Sequence, residues 1–132
     1  MIFSGSAKLD ETYPAKAVVM IGNFDGVHLG HRRIVQRAQE LAALKQSAVV
    51  AFTFRPHPTI ELKPSTDLRL LMTYDEKKLQ LQQLGVNCIV EEPFNTDFSS
   101  LTATEFFDEI LVRRLHSEVI IVGNDFRFGK GR

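Results

Sequence analysis

A pair of histidines behind a glycine-rich turn carries the clearest chemical signal in this sequence. The stretch Gly22–His31 reads Gly-Asn-Phe-Asp-Gly-Val-His-Leu-Gly-His and leads from an apolar run into a segment with helical periodicity. His28 and His31 stand three positions apart, so both imidazoles project from one face of the first helical turn. A helix N-terminus binds phosphate through its free N–H groups and its dipole, and imidazole donors there stabilise charge that develops on phosphorus. We therefore predict a phosphate site at this loop rather than an ordinary turn with two surface histidines.

Two further segments contain residues suited to ligand binding. In Arg55-Pro56-His57-Pro58 the prolines stiffen the backbone around His57. A ligand-positioning corner and a plain strand-ending loop fit this segment about equally well. The segment Gly123–Arg132 contains an aspartate, two aromatic residues and three cations, namely Asp125, Phe126, Phe128, Arg127, Lys130 and Arg132. Aromatic faces stack on planar rings and cations pair with phosphate, although the two rings also fit a simpler role as core anchors of the loop.

Short β-branched runs alternate with helix-period segments along the chain. The predicted strands are Ala17–Ile21, Ala48–Phe54, Asn87–Val90 and Glu118–Val122. The predicted helices cover about His28–Gln46, a segment capped by Thr73–Glu76 that ends at Gly85, and a segment capped by Thr102–Glu105 that ends near Leu115. We expect Phe106 and Phe107 in the core, Cys88 as a small buried hydrophobe, and the mixed charges of Asp75–Lys78 on a solvated helix face.

This alternation predicts an α/β fold, a Rossmann-like open parallel sheet with helices on both faces. Such sheets bind ligands beyond the carboxyl ends of their strands. Because all three chemically interesting segments directly follow a strand, we expect them to meet at one rim. After Gly129-Lys130-Gly131 the chain stops at Arg132 without another strand or helix. We therefore expect the sheet to be incomplete at its C-terminus and a longer parent chain to complete it.

Composition argues against several classes of protein. The chain has 132 residues, of which 44% are hydrophobic and 24% charged, as in soluble globular domains and unlike disordered chains. Sixteen Lys and Arg balance sixteen Asp and Glu, so no global field attracts nucleic acid or an anionic membrane. No apolar run approaches the ~20 residues of a membrane-spanning helix, no signal peptide opens the chain, and one cysteine cannot form an internal disulfide. We predict a cytoplasmic protein.

A metal site is the alternative interpretation of the histidines, since His-x-x-His spacing also occurs in zinc sites. No cysteine cluster or second carboxylate-bearing helix supplies the remaining ligands, and His57 would join His28 and His31 only by an accident of folding. We therefore assign no residue as a metal ligand.

Taken together, three motifs resemble the bacterial bifunctional riboflavin kinase/FMN adenylyltransferase family, prokaryotic FAD synthetase. They are Gly22–His31, Phe54–Pro58 and Val122–Gly129, and they occur in the family's order and at family-like spacing over nearly the whole chain. The His-x-Gly-His element alone is shared with the wider nucleotidyltransferase superfamily. The other two motifs are typical of the flavin branch.

The resemblance implies that the FMN phosphate attacks the α-phosphorus of ATP, giving FAD and pyrophosphate with Mg²⁺ assisting. It implies catalytic roles for His28 and His31, which would hold the ATP phosphates and stabilise the transition state. The implied ATP site comprises Gly22, Asn23, Phe24, Asp25 and Gly30. The implied flavin site comprises Phe54, Pro56, His57, Pro58, Asn124, Asp125, Phe126, Arg127 and Phe128.

By the same resemblance, residues 1–132 correspond to part of an adenylyltransferase domain. Family members continue with a Ser/Thr-rich stretch and an arginine that contact ATP, and then with a β-barrel riboflavin kinase domain. We expect neither here and predict no kinase activity for this chain. The implied partners are ATP, FMN and the remainder of a parent chain. Two alternatives stay open, a nucleotide- or flavin-binding fragment without turnover and a nucleotidyltransferase for a different phosphate acceptor.

Overall fold

Five parallel strands form the sheet in the described part of the computed structural model. The structure describes residues 1–24, 29–55 and 73–122, with residues 29–31 as backbone only. The strands are β1 (Ile2–Phe3), β2 (Ala17–Ile21), β3 (Ala48–Arg55), β4 (Cys88–Pro93) and β5 (Ser117–Val122), in the spatial order β1-β4-β3-β2-β5. The four strands predicted from the sequence are confirmed, with small shifts at their ends. Strand β1 was not predicted, because two residues are too few to show a periodicity.

The helices that connect the strands are α1 (Leu29–Lys45), α2 (Tyr74–Gln83), α3 (Thr96–Ser99) and α4 (Ala103–Glu105, continued by a π-type stretch over Phe106–Arg114). The predicted start of α2 is confirmed, since Thr73 Oγ1 accepts from the Glu76 N–H at 3.0 Å. Thr102 and Glu105 form the predicted reciprocal capping box of α4. Gly85 follows α2 with a φ of 99°, the left-handed conformation that glycine adopts readily at helix ends.

Helices cover both faces of the sheet, as the sequence predicted. On one face, α4 and the strands build a cluster that includes Val19, Phe52, Val90, Phe106 and Leu115. On the other face, α1, α2 and the strands build a cluster that includes Val18, Ala51, Ile89, Val35 and Leu81. Successive strand residues point to opposite faces, so strands that are covered on both sides become continuous apolar runs in the sequence.

The α4 face contains a set of packed aromatic rings. Neighbouring ring centroids are 5.3 to 5.9 Å apart among Phe52, Phe54, Phe94, Phe98 and Phe106. The burial of Phe106 is confirmed, but the prediction that Phe107 is a core residue is wrong, because Phe107 is 48% exposed. Successive residues of a helix point in different directions, so these two neighbours do not both face the sheet.

Two groups in the α4-face cluster resist ionisation. Cys88 is 1% exposed, as predicted for a buried hydrophobe, and burial raises the pKa of its thiol from 9.0 to about 11. Burial also raises the pKa of Tyr13 above its ordinary value, and a negative charge on Cys88 raises it further. The Tyr13 hydroxyl donates to the Leu115 carbonyl at 2.7 Å.

We expect the protein to lose stability as the pH rises from about 9 to about 11. In this range the unfolded chain releases the Cys88 thiol proton while the native chain keeps it. The native state then binds more protons than the unfolded state, so its stability falls with pH, whereas below this range the thiol contribution is constant. Urea unfolding at about pH 8 and about pH 10.5 measures the change. The control is Cys88→Ala, for which we expect a weaker pH dependence, and an equal dependence would contradict a contribution from this thiol.

Candidate active site

The carboxyl ends of four strands lie side by side, with β5 next to β2. Ile21 at the end of β2 pairs with Phe52 of β3 and with Val122 of β5. The chain adds strands in one direction from β2 to β4 and then reverses to place β5 on the other side of β2. Such a reversal is a topological switch point, where open α/β sheets bind their ligands. The segments that follow Ile21 and Val122, which carry the first and the third motif, therefore start from neighbouring strand ends.

Gly22 and Asn23 lead from β2 into the first motif. The Gly22 N–H donates to the Phe52 carbonyl at 3.1 Å, so the ladder with β3 extends one residue beyond the strand. A Cβ atom on Gly22 would meet the Phe24 ring at 3.4 to 3.6 Å, an ordinary contact, so the described neighbours do not by themselves require glycine. Asn23 Oδ1 is buried without a hydrogen-bond partner among the described residues. Buried acceptors are normally paired, so this oxygen is a candidate contact for a ligand or for another rim segment.

Phe24 has a left-handed backbone that bulky residues rarely adopt. Its φ is 54° and its side chain is 4% exposed, packed in the cluster with Val35 of α1 and Leu81 of α2. A residue keeps such a conformation only where its surroundings enforce it, and such residues concentrate at functional sites. The ring is therefore part of the core, and the backbone of Phe24 sets the direction in which the chain leaves for residues 25–28.

The side chain of Lys77, in the first turns of α2, extends to the backbone of Asn23. It is 5% exposed, and its Nζ donates to the Asn23 carbonyl at 3.0 Å and to Thr53 Oγ1 at 2.9 Å. The prediction that Asp75–Lys78 form a solvated face is therefore wrong for Lys77. The burial of Lys77 could have been inferred from its spacing to a core residue of the same helix. Lys77 precedes the core residue Leu81 by four positions, so both lie on one face of the helix.

A second polar cluster lies at the end of β4. Glu91 Oε1 is 3.3 Å from Lys78 Nζ and 3.9 Å from Arg55 Nη1, and Lys78 is also largely buried, again unlike a solvated face. The Arg55 guanidinium lies 4.6 Å from the centre of the Tyr74 ring. Glu91 is 8% exposed, and its Oε2 is without a hydrogen-bond partner among the described residues. Lys78 Nζ is also 3.6 Å from Asp75 Oδ1, so this cluster combines the cations of Arg55 and Lys78 with the carboxylates of Glu91 and Asp75.

Phe54 is the one described residue of the predicted flavin site. It is 1% exposed and packs against Phe94 and Phe98 on the α4 face, with ring centroids 5.6 and 5.5 Å away. Within the described residues its ring is a core residue that supports the end of β3. A direct contact of Phe54 with a flavin stays a prediction.

The other predicted site residues lie outside the described residues, or are described only as backbone. Those outside are Asp25, His28, Pro56, His57, Pro58, Asn124, Asp125, Phe126, Arg127 and Phe128. Gly30 and His31 lie in the first turn of α1, which begins at Leu29, close to the predicted start. The roles of all these residues stay predictions.

Two other candidate sites are weaker. No group of three or more His, Cys, Asp or Glu side chains that could hold a metal lies in the described ranges, and the side chains of His28, His31 and His57 are outside them. An open depression of about 620 Å³ lies at the opposite end of the sheet, lined by Ala48 and Cys88 among others. Because both residues begin strands, this depression is at the amino ends, away from the usual ligand end of such sheets.

The fold is that of an open parallel α/β protein with a topological switch point between β2 and β5, the position at which sheets of this class bind their ligands. The family model of FAD synthetase matches residues 10–132, and the chain belongs to this family.

Curated relatives agree with this assignment. A protein named bifunctional riboflavin kinase/FMN adenylyltransferase from Escherichia coli (strain K12) is 36% identical over 132 residues, 99% of this chain and 42% of that protein. A protein of the same name from Bacillus subtilis (strain 168) is 36% identical over 117 residues, 88% of this chain and 37% of that protein. The chain thus spans about two fifths of the length of these relatives.

A solved structure shares the fold. A crystal structure described as a macrolide-efflux protein from Streptococcus pneumoniae matches with a TM-score of 0.84 at 28% identity, covering 98% of this chain and 43% of that chain. That description belongs to the relative and transfers no activity. Within the described ranges, every helix is too short or too polar to cross a membrane.

Proposed function

We propose that this chain performs the adenylyl-transfer step of FAD biosynthesis. An oxygen of the FMN phosphate attacks the α-phosphorus of ATP and forms a new phosphoanhydride bond. The bond between the α- and β-phosphates breaks, and pyrophosphate leaves with its electron pair, so the products are FAD and pyrophosphate. Support comes from the family match over residues 10–132 and from relatives that are named FMN adenylyltransferases.

The structural observation that supports the proposal is the switch point beside β2. The segments carrying the first and third motifs start from the paired residues Ile21 and Val122, and the second motif follows β3, the neighbour of β2 on its other side. Adenylyl transfer requires positioning and charge stabilisation more than a protein nucleophile. A rim at which three such motifs begin from neighbouring strands is suited to that task.

Each motif is proposed to have a separate role. His28 and His31 hold the ATP phosphates and stabilise the negative charge of the transition state. The proposed ATP site is Gly22, Asn23, Phe24, Asp25 and Gly30. The proposed flavin site is Phe54, Pro56, His57, Pro58, Asn124, Asp125, Phe126, Arg127 and Phe128. The buried Oδ1 of Asn23 supports a ligand contact there, whereas the rings of Phe24 and Phe54 support their sites from the core.

Mg²⁺ is proposed to enter with ATP as part of the substrate. The carboxylates described at the rim do not fit an ion held by the protein, although Mg²⁺ prefers oxygen ligands. The Glu92 carboxylate accepts from the Ser6 N–H and from Ser6 Oγ, each at 2.6 Å. The Glu91 carboxylate lies beside Lys78 and Arg55, whose charges repel a cation. We assign no step of the reaction to a residue-bound metal.

The chain is proposed to act as part of a larger protein. Residues 1–132 are proposed to belong to an adenylyltransferase domain. A riboflavin kinase domain in the same parent chain is the proposed partner, because the curated relatives are named as bifunctional and are longer than this chain. We assign the kinase reaction to no residue described here. A cytoplasmic location is proposed, supported by a single cysteine, Cys88, which is free and buried.

An acceptor panel tests the proposal on the complete gene product. With Mg-ATP labelled in the α-phosphate, we expect transfer to FMN to be about 100-fold faster than transfer to nicotinamide mononucleotide, phosphopantetheine or glycerol phosphate. Efficient transfer to one of those other phosphates would overturn the choice of acceptor. Binding of ATP and FMN in calorimetry without formation of FAD would instead show a binding module without turnover.

A further inference from the structure

Lys77 combines a charge with a degree of burial that is rare for lysine. It is 5% exposed, and lysine is almost never fully buried unless its charge is paired or hydrogen-bonded. Its Nζ contacts include the Asn23 carbonyl at 3.0 Å, Thr53 Oγ1 at 2.9 Å and the Tyr74 ring, whose centre is 5.2 Å away. An ammonium in this position costs desolvation energy, which its hydrogen bonds to Asn23 and Thr53 offset in part.

The group that Lys77 holds is the last backbone carbonyl before the strained residue of the first motif. The Asn23 carbonyl belongs to the peptide that joins Asn23 to Phe24, and Phe24 has a φ of 54°. Thr53 Oγ1 donates to the same carbonyl at 3.2 Å, so a hydroxyl from β3 and an ammonium from α2 converge on one oxygen. Both bonds orient this peptide plane, which is the plane that the left-handed turn at Phe24 depends on.

The turn is therefore enforced from two directions. On one side, the Phe24 ring is buried with Val35 of α1 and Leu81 of α2. On the other side, Lys77 binds the backbone from the same helix that carries Leu81. After Phe24, residues 25–28 alone lead to the start of α1 at Leu29. The peptide that Lys77 holds thus lies directly before the segment that contains His28 and leads to the start of α1.

We propose that Lys77 is a positioning residue for adenylyl transfer, an inference that rests on the proposed function. Its ammonium holds the Asn23 carbonyl and thereby the turn at Phe24, which places His28 and His31 against the reacting phosphates. Lys77 acts through the backbone rather than on the substrate. Its loss is therefore expected to affect the rate of the chemical step more than the binding of substrates.

Steady-state kinetics of the complete gene product test this role. For Lys77→Met, which keeps the apolar stem and removes the charge, we expect kcat to fall on the order of 10- to 100-fold, because small misplacements of catalytic groups have effects of that size. The KM values for ATP and FMN should stay nearly unchanged. The matched control is Lys45→Met, an exposed lysine in the last turn of α1, which lies close to the start of β3 and therefore at the amino ends of the strands. This control should keep kcat.

A double-mutant cycle separates positioning from a general loss of structure. If Lys77 acts through the histidines, Lys77→Met should reduce kcat much less in a His28→Ala background than in the wild type. A merely structural role would give the same factor in both backgrounds. If Lys77→Met does not fold, Thr53→Val removes the hydroxyl from the same carbonyl with little change of shape. It also removes an acceptor of the Lys77 ammonium, so we expect a lower urea midpoint as well, and kcat should fall under conditions in which the variant is fully folded.

The outcomes distinguish the inference from the proposed function. Absence of FAD formation by the wild-type protein would overturn both. An active wild type with unchanged kcat in Lys77→Met, or in Thr53→Val where the first variant does not fold, would overturn the role of Lys77 alone. Equal reductions of kcat by Lys77→Met in the wild-type and His28→Ala backgrounds would also overturn the role of Lys77.

Discussion

Replacing His28 and His31 together by alanine is expected to lower the rate of FAD formation by about 10³-fold, since a single donor that stabilises transition-state charge contributes about 10²- to 10³-fold. Both residues come from the segment that follows β2 at the switch point, where the N-terminus of α1 favours phosphate. The measurement is initial rates with saturating Mg-ATP and FMN. We expect each single variant to be more active than the double variant. The fold-losses of the two single variants should multiply to more than the fold-loss of the double variant, because groups that act as a unit are not additive.

The control for this experiment is His116→Asn. His116 lies before β5, at the amino end of the sheet, where its Nδ1 is 3.3 Å from the Pro14 carbonyl. Its φ is 54°, a conformation that asparagine tolerates better than alanine does. We expect this variant to keep the wild-type rate. An unchanged rate in the double variant of His28 and His31 would show that these histidines have no part in the chemistry.

Truncation of Phe52 to alanine is expected to lower the free energy of unfolding by about 3–5 kcal/mol. Phe52 is fully buried in β3, and its ring centroid lies 5.3 Å from that of Phe54 and 5.9 Å from that of Phe106. Removing the ring leaves a cavity between β3 and α4 that these neighbours can only partly fill. For a domain of this size, whose total stability is about 5–15 kcal/mol, that loss is a large fraction.

Urea unfolding measures this effect as a lower midpoint at an unchanged slope. The matched control is Phe107→Ala on α4, which removes the same ring from a position that is 48% exposed. Its expected cost is below about 1 kcal/mol. A loss of similar size in both variants would contradict the assignment of Phe52 to the core and of Phe107 to the surface.

Most elements of this fold can be predicted from local features of the sequence. The runs Ala17–Ile21 and Ala48–Phe54 are apolar throughout or nearly so, because α1 and α4 cover the two faces of the sheet. Thr73 and Thr102 predict helix starts because the bonds they make reach only three residues along the chain. Strand β1 could not be predicted, because its register depends on pairing Ile2 with the distant Ile89.

The candidate site was accessible to sequence reasoning only in part. The first, second and third motifs were recognised from residue types and spacing. The burial of Lys77 was not predicted, because a charged residue in an acidic–basic run is typical of a solvated surface. Whether such a residue is buried depends on which helix face meets the sheet, and Leu81, one turn further along α2, is the residue that decides it.

The amino-acid sequence by itself determined the types of the elements, the caps that bound two of the helices, the family and the three motifs with their order. These properties depend on neighbours along the chain, through hydrogen bonds and hydrophobic periodicity. Only the tertiary structure decided that β5 lies beside β2, that the turn at Phe24 is left-handed, and that the Lys77 ammonium reaches the Asn23 carbonyl. Each of these depends on contacts between residues far apart in the chain, whose geometry exists only once the sheet and its two helical layers have packed.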